Sequence, residues 1–558
     1  MNDSSETEAP AVEMAPQGTT PTRIRVADIV GLTLHAHGAR HAFGMPGGEV
    51  VTLIDGVLNA GIEFHLTRHE TAAAIMAAGA SVITNGPQVL ITTVGPGLAN
   101  AVNGIADAAQ ERVPLIVISG VVDRSTRARY THQVIDHAQL LRPLVKASFE
   151  IEPESAASTV ARALALAMTE PRGPVHLDIS PAVADLDAAE NSPVLPPTIL
   201  QLNATPSDPA VTRVLQRLAE AKNPLIIAGF EAARFDTSGP LLDLAITTGT
   251  PVITTYKAKG IIPEDHELSL GAAGLSPKAD AILLPLFNAS DFVLAIGFDP
   301  IEMRLGWLDF IKDRNKLVEI TNAPVDQGMH HPGMRIVVDL ASFVDSLAQK
   351  AQVGATWDAG EPFNARQKLQ DQFRTKVEWG PHAIVDMLQH EADPHSIVTV
   401  DSGAHRILLS QKWVSHRPLA LLQSAGFCTM AAALPLAIGA KVSDPSRRVF
   451  AVMGDGGLEM GIGELATLRD LSLPITIVLF QDQSLALIAL KQASASLPSA
   501  GVALGLTDFA TVARGFGGYG INVDSIDALR NELVAARDRS AFTLICCRFS
   551  ASAYEGAF

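Results

Sequence analysis

The 558 residues exceed the length one hydrophobic core can serve, so several domains are expected. Apolar residues make up 47% and charged residues 18%, with 43 Gly and 34 Pro, which excludes a disordered, fibrous or coiled-coil chain and points to a folded α/β enzyme. A formal charge of −17 repels a phosphate backbone, so nucleic-acid binding is not expected, while a local anion site stays compatible with it.

Three cysteines, Cys428, Cys546 and Cys547, cannot build a disulfide framework, and there is no CxxC metal pair. Residues 1–23 are acidic and polar, with neither an apolar signal core nor Arg-rich transit character, and are expected to form a disordered tail. The longest apolar stretch, 418–440, contains Gln423, Ser424, Gly426, Thr429 and Pro435, and reads as strand, loop and helix rather than as a membrane span. A cytoplasmic protein with no membrane partner is the expectation.

Between residues 24 and 187, β-rich runs alternate with helical patterns. Residues 41–44 lead into the turn Met45-Pro46-Gly47-Gly48 and a helix, and residues 62–66 precede a helix beginning near Glu70. Residues 88–94 end at Gly95-Pro96-Gly97 and feed a helix over 99–111, while 114–120 and 173–179 read as further strands. Apolar strands separated by helices predict a parallel sheet covered on both faces.

Residues 186–206, rich in Pro, Asn, Ser and Thr, read as a linker. A second block over 207–350 carries strands at 224–228 and 291–296, and 352–372 is again polar and poorly periodic. The third block, 373–558, is expected to place strands at 396–400, 420–424, 448–453, 475–481 and 543–548. Its helices are expected from Pro381 and over 406–413, 430–440, 459–471 and 508–516. The first and third blocks both close with a helix, a basic turn and a strand, which suggests two similarly wound domains flanking a different middle one.

In open parallel sheets, ligands bind beyond the carboxyl ends of the strands. One strand of the third block ends in Asp401-Ser402-Gly403-Ala404-His405, the next in Gly454-Asp455-Gly456-Gly457, and the one after in Gln481-Asp482-Gln483-Ser484. Two carboxylates at consecutive strand ends, beside a Gly-rich helix entry, suit Mg²⁺ or Ca²⁺ bridging to a diphosphate. Either aspartate alone reads more simply as a turn or N-cap residue; the pair at this spacing favours the cation. Glu70 opens a helix, a common capping preference, and His69 beside it reads as a packed or capping histidine. Gly515-Phe516-Gly517-Gly518-Tyr519-Gly520 matches GxGxxG but follows a helix and leads into a strand, the reverse of a dinucleotide site.

Together, FGMPGG (43–48), RHETAAA (68–74), TTVGPGLANAVNGIADA (92–108), PLIVISG (114–120), PRGPVHLDI (171–179), GFCTMAAALP (426–435) and GDGG (454–457) resemble the thiamine-diphosphate-dependent decarboxylases and carboligases, in particular the acetolactate synthase group. The likeness runs over nearly the whole chain from residue 24 to 548. It implies three doubly wound α/β parallel-sheet domains: pyrimidine-binding (24–187), central and Rossmann-like (207–350), and diphosphate-binding (373–558). It also implies a homodimer or dimer of dimers, with the cofactor between one subunit's first domain and its partner's third.

By this resemblance, Glu70 bonds the aminopyrimidine ring and promotes its imino tautomer, and the cofactor serves as electron sink. Asp455 and Asp482, with the Ser484 main-chain carbonyl, hold the metal. Gly403, Ala404, His405, Gly454, Gly456 and Gly457 lie against the diphosphate, and Met430 wedges the cofactor into its bent form. Cys428, Leu485, Ala486 and Leu487 complete the cofactor set, while Gly47, Gly48, Gln133 and Lys491 face the substrate.

Four positions depart from the family. Gln481-Asp482 replaces a pair of asparagines, and Cys428 replaces a glycine. Lys491 stands where biosynthetic acetolactate synthases have a tryptophan, and Ser180-Pro181-Ala182 lacks their lysine. Lys491 reads either as a solvated helix residue or as a partner for an acidic substrate group. Gly48 and a lone His132, where simple decarboxylases carry an Asp and paired histidines, argue against plain aldehyde release.

The expected activity is decarboxylation of a 2-oxo acid and transfer of the carbanion to a second carbonyl. The alternatives are a 2-hydroxyketone or 2-hydroxyacyl lyase using the same cofactor, or a non-catalytic scaffold, against which Glu70 argues. FAD or ADP in the central domain is conceivable at Gly297-Phe298-Asp299-Pro300, where a plain turn is the simpler reading.

Overall fold

The computed structural model describes residues 24–198, 203–299, 303–308, 310–324, 328–354 and 356–558. The tail expected over residues 1–23 lies outside them.

Three six-stranded sheets follow one another along the chain. The first holds β1 (His41–Gly44), β2 (Glu63–Leu66), β3 (Gln88–Thr92), β4 (Leu115–Gly120), β5 (Ser148–Glu150) and β6 (Val175–Ile179), in the order β2-β1-β3-β4-β6-β5. The second holds β7 (Pro224–Ala228), β8 (Val252–Thr255), β9 (Ser269–Ala273), β10 (Phe292–Ile296), β11 (Leu317–Thr321) and β12 (Met334–Val337), in the order β12-β11-β10-β7-β8-β9. The third holds β13 (Ile397–Val400), β14 (Leu421–Gln423), β15 (Val449–Gly454), β16 (Thr476–Gln481), β17 (Tyr519–Val523) and β18 (Thr543–Arg548), in the order β14-β13-β15-β16-β18-β17. All paired strands run parallel. The first and third sheets are therefore wound identically, and the middle one follows the dinucleotide-type order that reverses between β7 and β10.

Central strands such as β3, β4 and β16 are buried along their whole length, as strands covered by helices on both faces must be. One apolar core runs through both outer domains. Its seam is the helix Glu70–Thr84 lying on the helix Ala433–Ser443. Small residues make the approach possible: a Cβ on Gly439 would stand 1.9 Å from the Met76 carbonyl oxygen, and one on Gly79 2.5 Å from that of Leu436.

Three segments differ from the sequence expectation. The helix expected over 430–440 begins at Ala433, because the Asp401 carboxylate accepts hydrogen bonds from the Ala431 and Ala432 amides, each at 3.0 Å, and holds residues 428–432 in a turn. Residues 459–471 form parts of two helices, Asp455–Gly461 and Glu464–Asp470, broken around Gly461 and Gly463. The polar stretch 352–372 includes a helix, Glu361–Gln372, whose sequence pattern is faint because Ala365 and Leu369 alone on it are buried, against the central domain.

Candidate active site

Where the strand order reverses, neighbouring connections leave to opposite faces and a crevice opens at the carboxyl ends. In the third sheet this happens between β13 and β15, and a cleft of about 1020 Å³ lies there. It is lined by every third-domain residue that the resemblance assigns to cofactor, metal or substrate, from Gly403, Ala404 and His405 through Cys428, Met430 and Gly454–Gly457 to Asp482, Ser484–Leu487 and Lys491.

The strand β15 ends at Gly454 and the helix begins at the next residue, so Asp455 sits on the helix's first turn. Its carboxylate accepts from the Gly456 amide at 2.9 Å and from the Gln483 amide at 2.7 Å. Asp482, beyond β16, accepts from the Ser484 amide at 3.1 Å. Burial pushes both carboxyls up, and the charge of Asp455 helps push Asp482 to about 7. Two buried carboxylates this close disfavour each other's ionisation, and a divalent cation between them would relieve that cost. Gln481 points away: its side-chain amide donates to the Thr507 carbonyl at 2.9 Å.

Opposite the carboxylates, His405 is buried and its Nε2 has no hydrogen-bond partner among the described residues. Burial lowers its pKa to about 4, so the ring is neutral and has an unspent polar atom. A Cβ on Gly457 would stand 2.0 Å from Asp401 Oδ2, and one on Gly456 would press on the Leu485 and Leu504 methyls at 3.2 and 3.3 Å. The glycines thus keep the backbone exposed to the cleft. Cys428 takes a φ of 56°, a conformation glycine adopts at no cost, and its thiol is held 3.1 Å from Arg406 Nη1 and 3.1 Å from the Ala425 carbonyl. Lys491 lies on the exposed side of the helix Ala486–Ser494 and on the cleft wall. Carboxylate pair, orphaned imidazole and bare backbone fit a diphosphate-bearing cofactor held through a divalent cation.

The first-domain residues gather elsewhere, at the matching crevice between β1 and β3. Glu70 is buried at the start of its helix and accepts from Asn100 Nδ2 at 3.1 Å, while His69 caps that helix by accepting from the Thr71 amide at 3.1 Å. Gly95, with φ 41°, lets the turn pass so close to Gln133 that a Cβ would stand 2.3 Å from the Gln133 carbonyl oxygen. A Cβ on Gly97 would lie 3.4 Å from Glu70 Oε1, and one on Gly47 2.4 Å from the Thr93 methyl. The turn after β3 therefore joins Gly47, Glu70 and Gln133 in one region. Gln133 faces a cavity of about 450 Å³ shared with Arg127, His137 and Asp178. None of Gly47, Gly48, Glu70 and Gln133 lines the third-domain cleft.

The cleft also includes residues to which the sequence reading gave no role. Ser402 donates to the Cys428 carbonyl at 2.7 Å. Tyr554 and Phe558 return from the end of the chain, packed through Phe549 on Phe480. The aromatic spacing of the last residues was the available sequence signal. Leu275, Pro277 and Arg304 reach the cleft from the central domain, with no local motif to announce them.

At the central sheet's own crevice, beside Gly297, the described residues line a pocket of about 40 Å³. Ion pairs line it, among them Arg112 with Asp299 at 3.1 Å and Arg234 with Glu170 at 2.5 Å. The GxGxxG segment joins the helix Phe509–Gly515 to β17, and Gly520 is there because a Cβ would stand 2.0 Å from the Ala510 carbonyl oxygen.

Fold and cleft define a class of enzyme in which two like-wound domains flank a third and carry the two halves of a cofactor site. The chain matches, in order, the thiamine pyrophosphate enzyme N-terminal TPP binding domain over residues 24–140, the central domain over 211–347 and the C-terminal TPP binding domain over 401–547. It belongs to the thiamine pyrophosphate enzymes, in their acetolactate synthase-like group. It is 29% identical to the acetolactate synthase of Bacillus subtilis (strain 168), over 91% of this chain and 90% of that one. It is likewise 29% identical to the catabolic acetolactate synthase of Raoultella terrigena, over 92% of each chain. The acetolactate synthase isozyme 3 large subunit of Escherichia coli (strain K12) is 28% identical, again over 92% of each. No helix of the described residues is long and apolar enough to cross a membrane.

Proposed function

We propose that this enzyme decarboxylates a 2-oxo acid and joins the carbanion to a second carbonyl compound, as the names of its acetolactate synthase relatives suggest. The observation that carries the reading is the single cleft in which Asp455, Asp482, His405 and the glycines 454, 456 and 457 meet at the ends of consecutive strands. Asp455 and Asp482 would hold Mg²⁺ with the Ser484 carbonyl, Ca²⁺ being the alternative hard cation. Gly403, Ala404, His405, Gly454, Gly456 and Gly457 would take the diphosphate, and Cys428, Met430, Leu485, Ala486 and Leu487 the body of the cofactor. When bound, thiamine diphosphate supplies the electron sink that makes loss of CO₂ feasible.

The protein's own contribution is positional. Glu70, buried and braced by Asn100, would hold a proton against the aminopyrimidine ring. Gly47, Gly48 and Gln133 would shape the acceptor pocket, and Lys491 would face an acidic substrate. Because these first-domain groups and the third-domain cleft lie apart in one chain, a second copy would complete each site, giving a homodimer or a dimer of dimers. A cytoplasmic location agrees with this reading.

Calorimetric titration of thiamine diphosphate into metal-stripped protein, with and without Mg²⁺, tests the cofactor site; binding that needs the metal and disappears in Asp455→Ala is expected. Product analysis with pyruvate and other 2-oxo acids, set against acyloins, tests the reaction. No turnover of any 2-oxo acid would sink decarboxylation, and acyloin cleavage alone would make the enzyme a lyase.

A further inference from the structure

Away from both half-sites, three side chains on the outer two strands of the first sheet converge on one point. His41 Nδ1 and His65 Nε2 stand 3.1 Å apart, and Glu63 Oε2 is 3.7 Å from each. The same three atoms make all three contacts, so they form a closed triangle. The point equidistant from triangle corners with edges of 3.1, 3.7 and 3.7 Å lies about 2.0 Å from each, which is the bond length of Zn²⁺ to imidazole nitrogen and carboxylate oxygen.

The strand register and packing account for this arrangement. Within the parallel pair, His41 lies opposite Glu63 and Phe43 opposite His65. Phe43 stacks on the His65 ring with centroids 4.9 Å apart, which fixes that ring's plane. The Gln88 side-chain oxygen accepts from the Arg40 and His41 amides at 3.2 and 2.9 Å, which fixes where β1 starts. Both imidazoles are buried while the Glu63 side chain is 71% exposed, so the triangle has two rigid nitrogen corners and an open, charged side toward solvent.

We propose that His41, Glu63 and His65 form a binding site for a borderline transition-metal cation of the Zn²⁺ class, with water or an exogenous ligand in the fourth position. Two nitrogens and one oxygen select against the hard cation suited to the all-oxygen set of Asp455 and Asp482. The ion would tie β1 to the edge strand β2, whose chain runs on through Thr67, Arg68 and His69 to Glu70. The proposal does not depend on the reaction assigned above.

The test is titration of Co²⁺ and Zn²⁺ into the metal-stripped full-length protein in excess Mg²⁺, followed by calorimetry and by the visible absorption of four-coordinate Co²⁺. One site per chain is expected, with affinity falling roughly tenfold to 100-fold or more in His65→Gln and His41→Gln. Glu63→Gln, an exposed substitution, should weaken binding without touching the core. His137→Gln serves as control, because His137, His176 and Asp178 form a second His/Asp group near Gln133, and it should leave this binding unchanged. Wild-type protein that takes up no Co²⁺, or uptake that survives the substitutions at 41, 63 and 65 alike, overturns the proposal. In that case His41 and His65 are simply hydrogen-bonded to each other.

Discussion

The two outer domains have the same strand order and opposite equipment. At the crevice of the third sheet stand two carboxylates, a buried histidine and a run of glycines; at that of the first stand turns of Gly and Pro, one buried glutamate and one glutamine. Winding decides where a crevice opens, because strand order sets which connections part company there. The residues at the strand ends decide what it can hold. The middle domain sharpens the lesson from the other side: its crevice is in the expected place, and ion pairs such as Arg112 with Asp299 line it instead of a carboxylate pair and a run of glycines.

The comparison breaks hardest at Asp455. Its loss in Asp455→Ala should abolish Mg²⁺-dependent cofactor binding, on the order of 100-fold or more, since a buried ligand set missing one charge loses about 3 kcal/mol. Calorimetry reads it directly. Glu70→Gln should do the opposite, leaving cofactor affinity within about threefold while turnover drops roughly 100-fold or more, as a displaced general acid–base group predicts. If both variants fail in the same way, the division of labour between the domains is wrong.

The seam between the domains is tested by Gly439→Leu, whose side chain cannot fit against the Met76 carbonyl. A loss of about 3 kcal/mol or more in denaturant unfolding is expected. A smaller effect concerns the paired carboxylates. Asp482 has a folded pKa of about 7, above the ordinary value for an aspartate, so it favours the folded state when protonated. Metal-free protein should therefore lose stability, on the order of a few kcal/mol, as pH rises from about 4 to 7, and level off above that. Thermal unfolding across that window should show this slope reduced in Asp482→Asn and in saturating Mg²⁺. Smallest of all, Lys491→Met should raise the KM for an acidic substrate about two- to fivefold and leave kcat alone, the size of an exposed charge pair. Unchanged KM values would return Lys491 to the solvated face of its helix.

Much of this was legible before the structure. Apolar runs ending in Gly-Pro-Gly or Gly-Asp-Gly-Gly located the strands and their carboxyl ends, because a buried parallel strand must be apolar throughout and its exit must turn sharply. That is why the residues at the strand ends, Gly403–His405, Gly454–Gly457 and Asp482–Ser484, could be named from pattern, while Cys428, Met430, Leu485–Leu487 and Lys491 came from the family resemblance. Residues 430–432 were misread as helix because the carboxylate that holds them in a turn, Asp401, comes from another strand. The helix Glu361–Gln372 was missed because two buried residues leave too faint a period. Arg304 reaches the cleft through the packing of the central domain, which local pattern does not encode, and the aromatic spacing of Tyr554 and Phe558 does not say what they pack against.

By itself, the sequence determined three α/β blocks, the location of strand ends, and the residue types for a cation and a diphosphate, since these depend on local composition and spacing. Only the tertiary structure decided the strand order that the outer sheets share, and so which strand ends meet at each crevice. It likewise decided that ion pairs line the central crevice and that His41, Glu63 and His65 meet at one point. These depend on which strands lie side by side, and neighbours in a parallel sheet are set by long connections whose routes the intervening residues do not spell out.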